Sequence, residues 1–205
     1  MESECEGLAP GYIGHWVVKT ARTAEKIDWY GTVFGARVVH RDDRLTFLTW
    51  DAESHRLALV RVPKVLRYLL PLARLRRKFY GFDHIGLTVP SLECLLDTYD
   101  RLKAAGITPV WAINHGPTTS LYYEDPDGIR LEFQVENFST AAETADYLGS
   151  PAFADNPIGV TFDPDYLLGR LRGGVAPAAL VKQGSGTPTG QVPRANRRAV
   201  TWRSL

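Results

Sequence analysis

Two stretches decide the reading of this chain: His15-Trp-Val-Val-Lys-Thr-Ala-Arg-Thr-Ala-Glu-Lys-Ile-Asp-Trp-Tyr30 and His84-Ile-Gly-Leu-Thr-Val-Pro-Ser-Leu-Glu-Cys-Leu-Leu-Asp-Thr-Tyr99. Each opens on a histidine in a short apolar run and ends on a tyrosine 15 positions later. The apolar run reads as a strand, and the middle as an amphipathic helix of about three turns. A glycine then follows in each, Gly35 and Gly106, placed to stop the helix. Self-similarity of this kind organises everything else in the chain.

The residues that follow repeat as well. Leu45-Thr-Phe-Leu-Thr-Trp50, a polar turn and Arg56-Leu-Ala-Leu-Val60 predict a hairpin. Ser120-Leu-Tyr-Tyr123, a Pro-Asp-Gly turn ending at Gly128, and Arg130-Leu-Glu-Phe-Gln134 predict another. The expected fold class is therefore α+β: two tandem βαβββ modules forming a curved mixed sheet around a metal-binding cleft. The first module spans 12–62 and the second 81–136, joined by a basic apolar linker, 63–80, that Pro71 interrupts. Residues 137–181 are expected to wrap the body, with a short helix near Pro164 to Arg172. Residues 182–205, rich in Gly, Ser, Thr, Pro and Arg, are expected to be a disordered basic tail.

Composition narrows the function classes. With 44% hydrophobic and 23% charged residues in 205, the chain has the material for a packed core and is not disordered as a whole. No stretch approaches the roughly 20 apolar residues that span a bilayer. The acidic opening Met1-Glu2-Ser3-Glu4 lacks a basic n-region, so no secretory signal is expected. Two cysteines, Cys5 and Cys94, are too few for a disulfide framework or a thiolate zinc site, and a cytoplasmic setting is expected. The net charge of +1 hides an asymmetry: 61–80 holds seven basic residues and 182–205 five, with no acid in either. The rest carries 12 basic against 23 acidic residues, so nucleic acid is not an expected partner of the body. The basic linker is expected to be an amphipathic helix whose Arg stems cover apolar surface; the competing reading is a lid or protomer contact.

Overlaying the halves isolates three positions with chemistry. His15 and His84 start the first strand of each module. Glu132 lies on the last strand of the second, where alternation turns Leu131 and Phe133 the other way; its counterpart in the first module is Ala58. Singly, a strand histidine or a glutamate in such a pattern is usually structural or solvent-facing. Two histidines at matching points of a duplication, with an acid at a matching hairpin, form a 2-His-1-carboxylate set instead. That set suits non-haem Fe(II), while Zn, Mn and Ni also accept its ligands.

The chain resembles the vicinal oxygen chelate superfamily, most closely the type I extradiol ring-cleavage dioxygenases of the biphenyl-diol and catechol kind. The resemblance covers about residues 12–175. Its most specific stretches are Phe47-Leu-Thr-Trp-Asp-Ala-Glu-Ser-His-Arg-Leu-Ala58, Asn114 to Gly128 and Arg130-Leu-Glu-Phe133. It implies that His15, His84 and Glu132 hold Fe(II), with Mn(II) as the alternative. It also implies that His55 is the acid–base residue near bound oxygen, that Tyr122 hydrogen-bonds a substrate oxygen, and that His115 is a pocket histidine. The implied reaction cleaves a catechol-like aromatic diol with O2, and the implied assembly is a homodimer. Two competing classes are a metal-dependent isomerase, lyase or epimerase that does not use O2, and a metal-free aromatic-ligand binding or resistance protein.

Overall fold

The computed structural model describes residues 12–65 and 82–193, in two compact units that divide between residues 70 and 71. In the first unit β1 (Trp16–Thr20) leads into α1 (Thr23–Phe34), followed by β2 (Arg37–Arg41), β3 (Leu45–Thr49) and β4 (Leu57–Arg61). The strands form one sheet in the order β1-β4-β3-β2, with β1 and β4 parallel and the other pairs antiparallel. Helix α1 buries Tyr30 and Val33. Its Phe34 stacks on Trp50 at 4.6 Å between ring centroids, and Trp50 meets Trp16 of β1 at 5.3 Å. Val18, Leu48, Leu57 and Leu59 supply the buried face of the sheet.

The second unit repeats that order. β5 (His84–Thr88) is followed by α2 (Leu92–Ala104), β6 (Trp111–Asn114), β7 (Thr118–Glu124) and β8 (Arg130–Glu136). Helix α2 buries Leu92, Leu95, Leu96, Tyr99 and Leu102 at the spacing that puts them on one stripe. The two tyrosines that mark the repeat, Tyr30 and Tyr99, are both buried. The two predicted helix stops, Gly35 and Gly106, take φ of 67° and 77°, the left-handed region that a side chain disfavours. The α+β class and the βαβββ order are thus observed, as two mixed sheets, one in each unit.

The second sheet continues past its module. After α3 (Ala141–Leu148) and α4 (Pro151–Asp155), the short β9 (Val160–Thr161) joins it in the order β5-β8-β7-β6-β9. α5 (Pro164–Arg172) then lies against α2, tied by Lys103 to Asp165 at 2.6 Å and Arg172 to Asp100 at 2.7 Å. α5 sits where the sequence placed a helix. α6 (Pro177–Leu180) closes the series.

Residues 182–193 differ from the disordered start of a tail expected there. Gln183 Nε2 donates to the Asn114 carbonyl at 3.2 Å, Arg170 to the Ser185 carbonyl at 2.7 Å, and Asp163 N–H to the Gly186 carbonyl at 2.9 Å. Composition misleads here because backbone carbonyls accept all three bonds, and they need no apolar side chains. The remainder of that tail, 194–205, and linker residues 66–80 lie outside the described residues. Among the described residues no helix is long and apolar enough to cross a membrane.

The strand registers make the duplication quantitative. In the first sheet one row runs Val17, Ala58, Phe47, His40 across β1, β4, β3 and β2. In the second the matching row runs Gly86, Glu132, Tyr122, Trp111 across β5, β8, β7 and β6. Ala58 is therefore the structural counterpart of Glu132, and Phe47 that of Tyr122. Two residues before Val17 and Gly86 stand the histidines: His15 precedes β1, with Trp16 N–H bonded to the Arg56 carbonyl, and His84 stands opposite Arg130.

Candidate active site

In the second unit four side chains converge on the row described above. β-Alternation sends Leu131 and Phe133 to the helix side and Glu132 to the other face. Glu132 is only 5% exposed, so its charge needs partners, and it has them. Tyr122, directly across the ladder, donates its hydroxyl to Glu132 Oε1 at 2.8 Å. His84 places Nε2 3.0 Å from Glu132 Oε2. Burial pushes the Glu132 carboxyl up, but hydrogen bonds from His84, Ser120 and Tyr122 outweigh it and hold the group below its ordinary value.

His84 is itself oriented from behind. Its Nδ1 lies 2.6 Å from Asp83 Oδ2, and Arg130 stands 3.7 Å from the same carboxylate oxygen. A carboxylate on Nδ1 directs Nε2 outward and raises its basicity, the arrangement found behind metal-bound histidines. The Asp83 hydrogen bond, followed by that to Glu132, raises the His84 pKa to about 9. The fourth member is His115, just past the end of β6. Its Nε2 is 3.0 Å from the Tyr122 hydroxyl, and its Nδ1 is 2.5 Å from the Ile158 carbonyl. Burial lowers its pKa. Burial also raises that of Tyr122, with the adjacent Glu132 charge adding to the effect. Trp111 closes one side, 5.0 Å from Tyr122 and 5.7 Å from His115 between ring centroids.

The first unit brings together the other two expected residues. The rings of His15 and His55 lie 4.5 Å apart between centroids. His55 also stacks on Phe47 at 4.7 Å and 19°, and its Nδ1 is 3.1 Å from Ser54 Oγ. Within each unit taken alone, no three His, Cys, Asp or Glu side chains among the described residues are gathered so as to hold a metal ion. Glu132 has His84 Nε2 at 3.0 Å from one oxygen and His115 Nε2 at 3.9 Å from the other.

The family model described as Glyoxalase/Bleomycin resistance protein/Dioxygenase superfamily matches residues 12–133. The chain is 45% identical over 150 residues, 73% of its length and 76% of the relative's, to Biphenyl-2,3-diol 1,2-dioxygenase 2 of Rhodococcus globerulus. Biphenyl-2,3-diol 1,2-dioxygenase 3 of the same organism is 35% identical over 88% of this chain and 92% of that one. The chain belongs to the glyoxalase/bleomycin resistance/dioxygenase superfamily.

The superfamily fold is matched by a solved glyoxylase/bleomycin resistance protein/dioxygenase domain from Frankia sp. EAN1pec. It has a TM-score of 0.51 and 18% identity, covering 64% of this chain and 96% of that one. Within this superfamily fold, two contributors to the site were missed in the sequence. Asp83 carried a signal, a carboxylate adjacent to a candidate ligand histidine. The Ile158 carbonyl carried none, since a backbone acceptor 43 residues from His115 leaves no trace in residue type.

Proposed function

We propose that the chain is an Fe(II)-dependent extradiol dioxygenase that opens the ring of a catechol-like aromatic substrate with O2, and that His15, His84 and Glu132 hold the iron. The observation that carries the reading is the buried Glu132 carboxylate bracketed by His84 and Tyr122, in a chain 45% identical to a biphenyl-diol dioxygenase. The donor set fits the metal: imidazole and carboxylate suit Fe(II), with Mn(II) the closest substitute. The separation of His84 Nε2 and Glu132 Oε2 fits too. It is 3.0 Å, and two ligand atoms at right angles, each about 2.1 Å from an ion, stand about 3.0 Å apart.

When bound, Fe(II) supplies the positive charge that lowers the pKa of a catechol hydroxyl and the redox chemistry toward O2. The chain's own residues then handle orientation and protons. Asp83 fixes the ring of His84 from behind. Tyr122, held by Glu132 and His115, presents its hydroxyl to a substrate oxygen. His115 and His55 take and return protons as the ring carbon bond beside the diol breaks; imidazole suits both directions near neutrality. Trp111, Ile113 and Ile158 pack around Tyr122 and keep that side dry. Both atoms of O2 enter the product, and no external reductant is required.

Oxygen uptake by the Fe(II)-loaded protein with mono-, bi- and tricyclic catechols tests the reading. One O2 is consumed per ring opened, with a coloured product. Replacing Glu132 with Ala removes bound iron and lowers turnover by at least about 10³-fold. Turnover that continues under argon overturns the reading in favour of an isomerase or lyase. Ligand binding with neither metal nor turnover overturns it in favour of a sequestering protein.

A further inference from the structure

His115 has no counterpart in the first module. The first hairpin closes with Asp42 N–H bonded to the Leu45 carbonyl, two residues beyond the rung His40↔Phe47. The second runs on from the matching rung, Trp111↔Tyr122, through Asn114↔Thr119 to His115 N–H on the Thr118 carbonyl. The extension is covered by β9, with Asn114 paired to Val160, and the turn just before β9 reaches the His115 ring.

That turn is closely specified. Asn156 Nδ2 donates to the Gly159 carbonyl at 3.0 Å, and Gly159 N–H donates back to Asn156 Oδ1 at 3.1 Å, both buried. Gly159 has φ of 111°, and a Cβ there would stand 2.2 Å from the Asn114 carbonyl oxygen and 2.7 Å from His115 Cα. Only glycine lets this backbone lie so close to the strand end that carries His115. The result is the Ile158 carbonyl aimed at His115 Nδ1. A carbonyl accepts and cannot donate, so Nδ1 must carry the hydrogen.

We propose that the Asn156–Gly159 turn is a positioning device that keeps a hydrogen on His115 Nδ1 and so points the Nε2 edge of the ring at the Tyr122 hydroxyl. Asn156 and Gly159 are positioning residues acting through His115, and their importance for turnover rests on the role given to His115 above. The claim about the ring itself does not.

The test is long-range proton–nitrogen NMR of the iron-free, ¹⁵N-labelled full chain, with the His115 signals assigned by their loss in His115→Gln. In the wild-type ring Nδ1 carries a hydrogen in at least about tenfold excess over the form without it. In Gly159→Ala that excess collapses, and kcat for ring opening falls about 10- to 100-fold while KM stays within about twofold. Asn156→Asp keeps the acceptor for Gly159 N–H but sets an oxygen against the Gly159 carbonyl in place of the donor; it adds no heavy atom and shifts the ring in the same direction by less. It serves as the folded variant should Gly159→Ala not fold. A wild-type ring without a hydrogen on Nδ1, or an unchanged Nδ1–H excess in the variants that fold, overturns the proposal. A ring that follows the turn while kcat stays at the wild-type level upholds it and removes His115 from the reaction.

Discussion

The two modules share a backbone frame and differ in what they place on it. Along matching rows the first carries Val17, Ala58, Phe47 and His40, and the second Gly86, Glu132, Tyr122 and Trp111. Where the second has a carboxylate hydrogen-bonded to a phenol, the first has a methyl group beside a phenyl ring. The change removes both oxygen functions at once, which is how a buried polar pair can be lost cheaply: deleting one partner strands the other, and deleting both does not. Size is exchanged as well. Gly86 lies opposite Glu132, while Val17, more than half exposed, lies opposite Ala58. What both modules keep is the histidine at the start of the first strand. Duplication thus supplied two equivalent histidine positions, and the carboxylate stands on one side only.

The sharpest way to break this comparison is to undo the divergence. In Ala58→Glu the new carboxylate stands to His15 in the register that Glu132 has to His84. A fourth protein ligand at that place takes a coordination position that a substrate or O2 requires. Oxygen uptake with a catechol is expected to fall at least about 100-fold while iron content is kept. Unchanged uptake would mean that position 58 does not face the iron, and the equivalence of the two rows would lose its functional meaning.

How much of this was legible beforehand follows from the same comparison. The βαβββ order, both helix stops and the pairing of Ala58 with Glu132 are written in periodicity and spacing, because strand registers obey a strict period of two. The side-chain contacts are not. His55 stacked on Phe47 and beside His15 depends on rotamers, and His115 owes its setting to a turn in an irregular segment far along the chain. Residues 182–193 read as disordered because their order comes from hydrogen bonds to carbonyls, which composition does not encode. Asp83 is intermediate, visible as a residue type but not as a contact. Its match in the first module is Gly14, so the support behind His84 is absent behind His15 by this route. Asp83→Asn is accordingly expected to weaken Fe(II) retention about tenfold, measured by competition with a chelator. Unchanged retention would show that the Asp83–His84 contact of 2.6 Å does not tune the ligand.

The smallest expected effect separates the two helices. α2 begins at Ser91, whose hydroxyl accepts from Cys94 N–H at 3.3 Å, whereas α1 begins at Arg22 with no side-chain cap. The first N–H groups of any helix lack partners within it, and a capping oxygen satisfies one of them. α1 has instead Glu25 in its first turn, 2.9 Å from Arg22, where a negative charge favours the helix start. Ser91→Ala should therefore destabilise the chain by about 1 kcal/mol, read as a shift of the urea midpoint with unchanged slope. Catechol turnover should stay near the wild-type rate, since Ser91 touches none of the site residues. A loss well above that size would mean that α2 carries more of the second unit than its cap, and a shift near zero would put the two helix starts on an equal footing despite their different chemistry.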